Sequence, residues 1–260
     1  EVRRHASVHL HLQTRATGIE RRPDSVLIKT ESVLGGAPLD IEADYVVGCE
    51  GPRSLVREAI GSRYEGLKED DRDFMGGRML SIYFRSDDYY RASDKPASWQ
   101  YWALNPERRA LSMSLNGKDL FSTAVQLAPG QKPDTAFADH CLEQVMGAGF
   151  RREIIGCSEW TAGYMLVADG FVEPGPEPRL FLAGDAAHLF TPTGGQGYNT
   201  AVDDAANLGW KLAAACEGWG GPALLRSYEA ERLPIARRNT RFARTMAESI
   251  GRLPVPQHIE

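Results

Sequence analysis

The chain has 260 residues, 42% hydrophobic and 25% charged, a balance that excludes intrinsic disorder, coiled coil and a disulfide-stapled miniprotein and leaves room for one large or two ordinary domains. Its 30 basic and 35 acidic residues give a net charge of -5, which argues against nucleic-acid binding through counterion release and against a polybasic membrane anchor, so small molecules are the favoured partners. Cys49, Cys141, Cys157 and Cys216 show neither C-x-x-C nor zinc-finger spacing, and no stretch approaches 18 uncharged apolar residues; the expectation is four reduced thiols, no metal and no membrane insertion, in the cytoplasm.

The chain opens on Glu1 without an initiator Met or an apolar signal-peptide segment, as a processed chain or an internal piece of a longer one would. Val8, Leu10 and Leu12 alternate with His9 and His11, the period of a half-buried strand with solvent-face histidines. A second strand is expected over Ser25 to Ser32, and the Gly35-Gly36-Ala37-Pro38 turn leads to a third at Leu39 to Ile41. Ala43 to Gly48 is short, apolar and ends in Gly, like a buried parallel strand, and it feeds a helix over Ser54 to Ile60. The charge run Lys68 to Asp73 reads as a solvated linker and a domain boundary. Beyond it, Met79 to Phe84, Ser98 to Leu104, Ala110 to Leu115 and Trp160 to Val167 read as strands of a mostly antiparallel sheet, with a helix at Thr135 to Met146. Trp99, Tyr101 and Trp102 suit either plain core or an aromatic pocket. The last third holds a buried strand, Arg179 to Gly184, and a helix from Tyr198 to Cys216 whose buried stripe is expected at Ala201, Ala205, Leu208, Leu212 and Ala215. A final helical run, Gly221 to Glu248, carries Pro234, expected to kink or split it.

The informative stretch runs from Gly184 to Thr200. Asp185 stands at the carboxyl end of a strand, where α/β sheets bind ligands, and a carboxylate there can accept hydrogen bonds from a sugar hydroxyl pair. Gly194, Gly195 and Gly197 let backbone approach a ligand, and the helix that follows aims free N–H groups and a positive dipole end at it. Alone, Gly-Gly-Gln-Gly also serves as a plain turn, and Gly195 to Thr200 has Thr where a dinucleotide fingerprint has its last Gly. No P-loop, zincin or serine-hydrolase motif occurs.

Together these residues resemble the class A flavoprotein monooxygenases, the para-hydroxybenzoate and phenol hydroxylase family. Its G-D-A-A-H, Pro, G-G-x-G and N-L-x-W-K-L elements are matched by Gly184 to His188, Pro192, Gly194 to Gly197 and Asn207 to Leu212, and its D-G-x-x-S-x-V-R by Glu50 to Arg57. Tyr101-Trp102 followed by Asn105 to Arg109 is similar to the middle sheet of phenol-hydroxylase-like members. Two departures stand out: Glu50 replaces the usual Asp, and the family's opening strand with G-x-G-x-x-G is not found, which implies truncation by on the order of 100 residues.

The resemblance implies an α/β fold: a partial Rossmann-like FAD/NAD(P)-binding domain without its first βαβ unit, and an inserted, mostly antiparallel substrate-binding sheet. The implied division is residues 1–73 and 169–260 for FAD and 74–168 for substrate, with the strands ending at Gly48 and Gly184 as neighbours. It further implies that Asp185 bonds a flavin ribityl or ribose hydroxyl. Gly184, Pro192, Gly194, Gly195, Gln196, Gly197 and Asn199 would hold the flavin, the helix start facing N1 and C2=O. Glu50 and Gly51 would contact flavin or nicotinamide nucleotide, and Arg53 and Arg57 the NAD(P)H phosphates, with a surface ion pair as the alternative for Arg57. No side chain is implied as catalytic, and His188 reads as structural, because the flavin carries the chemistry. The implied reaction uses NAD(P)H and O2 to hydroxylate a small aromatic substrate through a flavin C4a-hydroperoxide. A halogenase or reductase of the same fold, or a non-catalytic remnant lacking FAD, are the alternatives; the halogenase W-x-W-x-I-P signature does not occur around Trp99.

Overall fold

The computed structural model of the chain describes residues 2–67, 77–93, 96–105, 107–147, 149–162 and 164–251. Lys68 to Asp73, the expected linker, lies outside the described residues. The chain begins with strands β1 (Thr14–Arg21), β2 (Val26–Ser32), β3 (Ile41–Ala43) and β4 (Val46–Gly48), helix α1 (Leu55–Ile60) and β5 (Tyr64–Leu67). It continues with β6 (Gly77–Arg85), the single turn α2 (Tyr89–Ala92), β7 (Gln100–Leu104), β8 (Arg109–Ser114), β9 (Leu120–Gln126), α3 (Thr135–Met146) and β10 (Glu153–Ala162). The last third holds β11 (Met165–Ala168), β12 (Leu180–Leu182), β13 (His188–Leu189), α4 (Gln196–Cys216) and α5 (Pro222–Gly251). Two compact units result: Glu1–Gly66 with Leu166–Leu189 and Gly195–Thr240, and Leu67–Met165 with Phe190–Gly194 and Arg241–Glu260.

In the first unit β1, β2 and β3 form an antiparallel meander, and β4 pairs in parallel with β12 in the register Val46↔Leu180, Val47↔Phe181, Gly48↔Leu182. Val-Val-Gly and Leu-Phe-Leu are apolar on both faces because the pair lies inside a core of Val56, Phe171, Phe181, Leu208 and Tyr228. The neighbouring of these two strands is therefore as the sequence implied. Four expectations are corrected. Val8 to Leu12 is no strand: β2 ends opposite Thr14 at Ser32, so the residues before Thr14 face no ladder, and Val8, Leu10 and Leu12 are exposed. Ala43 to Gly48 is not one strand, since Ala43 closes the meander and the chain changes sheets at Asp44-Tyr45. Of the two effects expected of Pro234, a kink or a split, the split does not occur, since α5 is continuous from Pro222 to Gly251. The buried face of α4 is Thr200, Asp204, Leu208, Lys211 and Ala214, centred about 80° from the expected stripe; the two share Leu208, Leu212 and Ala215 pack half-buried against the same core, and Ala205 is exposed.

The second unit is a five-stranded antiparallel sheet in the order β10-β6-β9-β8-β7. One face packs Leu80, Ile82, Phe84 and Phe121 with Tyr89, Phe150 and the α3 residues Ala138, Cys141 and Leu142; the other gathers Met79, Leu111, Ala124 and Ala162 with Met113 and Trp160. Strand β9 escaped the sequence reading although its signal was present. Asn116-Gly117 is a hairpin dipeptide, with Gly117 at φ +72° and Asn116 Oδ1 accepting from the backbone N–H of Lys118, Asp119 and Leu120. Of the three aromatics left open, Tyr101 is core, its ring 5.6 Å from that of Tyr89, whereas Trp99 and Trp102 are exposed.

Candidate functional site

At the adjacent ends of β4 and β12 the chain leaves the sheet in two loops, the place where parallel sheets present polar groups to ligands. In the first loop a Cβ on Gly48 would stand 2.6 Å from Val56 Cβ, so only glycine lets α1 pack this closely. Glu50 Oε1 accepts from Ser54 Oγ at 2.8 Å and from the Val56 N–H at 3.0 Å, and Ser54 Oγ accepts from the Arg57 N–H at 2.9 Å. Glu50 thus sits at the positive end of α1 and satisfies its open donors. Gly51 turns the chain at φ +86°, and Arg53 is exposed, without a side-chain partner among the described residues.

Arg57 points inward. Its Nη1 donates to Ala186 O at 3.1 Å and its Nη2 to Pro52 O at 2.6 Å, while the guanidinium lies 3.9 Å over the Tyr64 ring. The surface ion pair considered for it is thereby ruled out. Tyr64 completes the contact by donating its hydroxyl to Asp185 O. Burial pushes the Tyr64 pKa up to about 12, partly offset by the Arg57 charge, so the hydroxyl is a donor at neutral pH.

The second loop, Gly184 to Ala187, is tied down at every carbonyl oxygen. Gly184 O accepts from the Ala187 N–H at 2.8 Å, Asp185 O from Tyr64, Ala186 O from Arg57, and Ala187 O from the Ala168 N–H at 2.7 Å. Gly184 itself takes φ +60°. The Asp185 carboxylate stays exposed and has no partner among the described residues. Behind the turn, wholly buried Asp204 accepts from the Gly184 N–H at 3.2 Å, has His188 Nε2 at 2.6 Å on the same oxygen, and takes Arg232 Nε at 2.9 Å on the other. His188 is itself wholly buried against that carboxylate.

The glycine run enters α4 through two left-handed residues, Gly194 at φ +81° and Gly195 at φ +62°, conformations that side chains resist. Pro192 is exposed, and Gln196 and Gly197 are half-buried in the first turn. No side chain caps this helix; Asn199 Nδ2 donates back to Gly195 O at 2.7 Å. The later part of the motif clamps helices together: Asn207 Nδ2 donates to Glu231 Oε2 at 2.6 Å, and buried Lys211 lies 2.9 Å from the same oxygen.

The structure thus brings Glu50, Gly51, Arg57, Gly184 and Asp185 to one sheet edge and adds Tyr64, Asp204 and Arg232, which the sequence reading missed. Asp204 was detectable in principle, four residues from both Thr200 and Leu208 on a helix, but Tyr64 and Arg232 carry no local signal. An exposed carboxylate on a fixed turn offers an acceptor, and the left-handed Gly195 leads into a helix start with a positive dipole end. Such groups suit a ligand that carries hydroxyls and an electron-rich ring edge, as FAD does. Among the described residues no group of three His, Cys, Asp or Glu could hold a metal ion, and no helix is long and apolar enough to cross a membrane.

Comparison with known proteins agrees with this chemistry. Residues 1–243 match the family described as FAD binding domain. The FAD-dependent monooxygenase opdD of Penicillium oxalicum is 35% identical over 208 residues, 75% of this chain and 38% of that protein. A 3-(3-hydroxy-phenyl)propionate/3-hydroxycinnamic acid hydroxylase of Mycobacterium sp. (strain JLS) is 31% identical over 245 residues, 92% of this chain and 39% of its own length. Among solved structures, aklavinone-11 hydroxylase in a ternary complex with FAD and aklavinone matches with a TM-score of 0.79 at 28% identity, covering 91% of this chain and 43% of that one. The chain therefore spans well under half the length of these relatives. It belongs to the FAD binding domain family, and its relatives there include FAD-dependent monooxygenases and hydroxylases of the class A type.

Proposed function

We propose that the chain forms part of an FAD-dependent monooxygenase that hydroxylates a small, phenol-like aromatic substrate with NAD(P)H and O2. The observation that carries the reading is the Gly184–Ala187 turn, whose four carbonyl oxygens are all engaged while the Asp185 carboxylate is exposed and unpartnered among the described residues. Such a carboxylate is preorganised to accept a ribityl or ribose hydroxyl, a charge-assisted bond worth about 1.5–3 kcal/mol. The start of α4, with Gly195, Gly197 and Asn199, turns a positive dipole end to the electron-rich edge of the ring system, and Gln196 in the same turn is assigned to it too. Pro192 and Gly194, which lead the chain into that helix, are assigned to the same ring. Bound FAD supplies the electron and oxygen chemistry, and the chain's own part is binding and orientation.

Exposed Arg53 is the group assigned to a nicotinamide-nucleotide phosphate. Arg57 and Glu50 instead hold the loops, since their charges are already satisfied by carbonyl oxygens and by the start of α1. The parallel pairing of β4 with β12 supports assigning residues 1–73 and 169–260 to one FAD-binding domain, with 74–168 as the substrate sheet. The four cysteines are free thiols, which suits the cytoplasm.

Titrating FAD into the isotope-labelled chain tests the assignment. Amide signals of Gly184 to Ala187 and Gly195 to Asn199 shift together, and Asp185→Ala weakens binding by about ten- to a hundredfold. No shift at millimolar FAD, or equal affinity for Asp185→Ala, overturns it. In the complete enzyme, phenols stimulate NAD(P)H oxidation with oxygen uptake and hydroxylated product in step; uptake without hydroxylated product would point to an oxidase or reductase.

A further inference from the structure

Asp204 is the buried charge that lies directly behind the Asp185 turn. It is 0% exposed, and its Oδ2 takes contacts from both ends of the turn: the Gly184 N–H at its start and the His188 ring immediately after Ala187. Its Oδ1 is held by Arg232 Nε from α5, and Arg232 Nη2 also reaches Thr200 O, one turn earlier on α4, at 3.4 Å. The carboxylate is thus braced on two helices and cannot follow the turn if the turn moves.

We infer that Asp204 is a positioning residue: through Gly184 and His188 it sets the direction in which Asp185 presents its carboxylate to the ligand. Energetics favour this over a purely stabilising role. Leu208 and Ala214 on the same face of α4 show that apolar side chains suit it, and burying a carboxylate and a guanidinium carries a desolvation cost that well-packed apolar residues avoid. What the charged cluster adds is direction, since its contacts fix the two ends of a four-residue turn to one oxygen atom. The inference takes its ligand from the flavin reading above; the positioning itself stands on the geometry.

Amide exchange in the 260-residue chain, combined with a double-mutant cycle on FAD binding, tests it. In Asp204→Asn one side of the amide must present N–H to Gly184 or to Arg232. Exchange at Gly184 and Ala187 therefore quickens about tenfold or more while the α4 amides of Leu208 and Ala214 keep their protection. FAD affinity drops severalfold when Asp185 is present and does not drop further when Asp185 is already Ala, because the two changes act through one contact. Unchanged exchange at Gly184, or the same fractional loss of affinity in both backgrounds, overturns the inference. If Asp204→Asn fails to fold by circular dichroism, Arg232→Lys, which keeps the charge and shifts the brace, supplies the same comparison. An Asp185→Ala chain that binds FAD normally would sink the flavin reading instead, and the exchange result would still decide the role of Asp204.

Discussion

Tyr64 meets Arg57 through its ring and the Asp185 turn through its hydroxyl, so its protonation matters. Its pKa is raised to about 12 chiefly by burial, and Tyr89, buried in the other unit with its hydroxyl on Ser112 Oγ at 2.7 Å, is likewise raised to about 12 by burial. An unfolded tyrosine ionises near 10, so between pH 10 and 12 the unfolded chain releases protons that the folded chain retains. The contribution of these groups is complete below pH 10 and is lost as the pH rises toward 12. The urea midpoint should fall across that window, and less steeply in Tyr64→Phe and Tyr89→Phe; identical slopes in all three proteins would refute the assignment. Tyr64→Phe also removes the donor to Asp185 O, so it should loosen the turn without touching the Asp185 side chain.

Helix α4 shows how a charged pair can replace apolar packing within an element. Glu231 is lowered to about 2, first by the hydrogen bond from Asn207 and then by Lys211, although its side chain is half-exposed while that of Lys211 is buried. A depressed carboxyl pKa stabilises above its unfolded value, near 4.3, and that stabilisation disappears as the pH falls toward 2. Glu231→Gln should cost about 1–2 kcal/mol at neutral pH, a figure reduced for solvent screening, because it leaves a buried ammonium without its counter-charge. Adding Lys211→Met should recover part of the loss, and urea unfolding of wild type and the two variants checks both signs. The same buried charges explain why the sequence misplaced the face of α4: hydrophobic periodicity follows apolar residues, and here Asp204 and Lys211 face inward while Ala205 faces out. By contrast, β4 and β12 were legible because each is an uninterrupted apolar run ending at a turn. Asp185 and the glycine run were legible because their chemistry is local. Arg57 to Ala186 and Tyr64 to Asp185 were not, since their partners lie 129 and 121 residues away and only the fold brings them together.

At the scale of the molecule, the exposed side of α4 leaves apolar side chains in water. Tyr198, Val202 and Trp210 are 80%, 48% and 49% exposed, and Ala206, Gly209 and Ala213 between and beyond them are exposed as well. Spaced at four, eight, eleven, twelve and fifteen residues from Tyr198, they leave a mainly apolar stripe in water along much of a 21-residue helix. In the same unit β4 pairs only with β12 among the described residues, so one edge of a parallel pair is left without a ladder. Apolar surface and an open strand edge both favour contact between molecules, which the modest net charge of -5 opposes only weakly. The 260-residue chain should therefore self-associate at tens of micromolar, and Val202→Lys with Trp210→Lys should shift it toward monomer. These positions face away from the buried side of α4, so the far-ultraviolet circular dichroism of the double variant should match wild type. Light scattering across a concentration series decides the matter: a wild-type chain that stays monomeric throughout, or a lysine variant that associates equally, would show that this surface does not drive association.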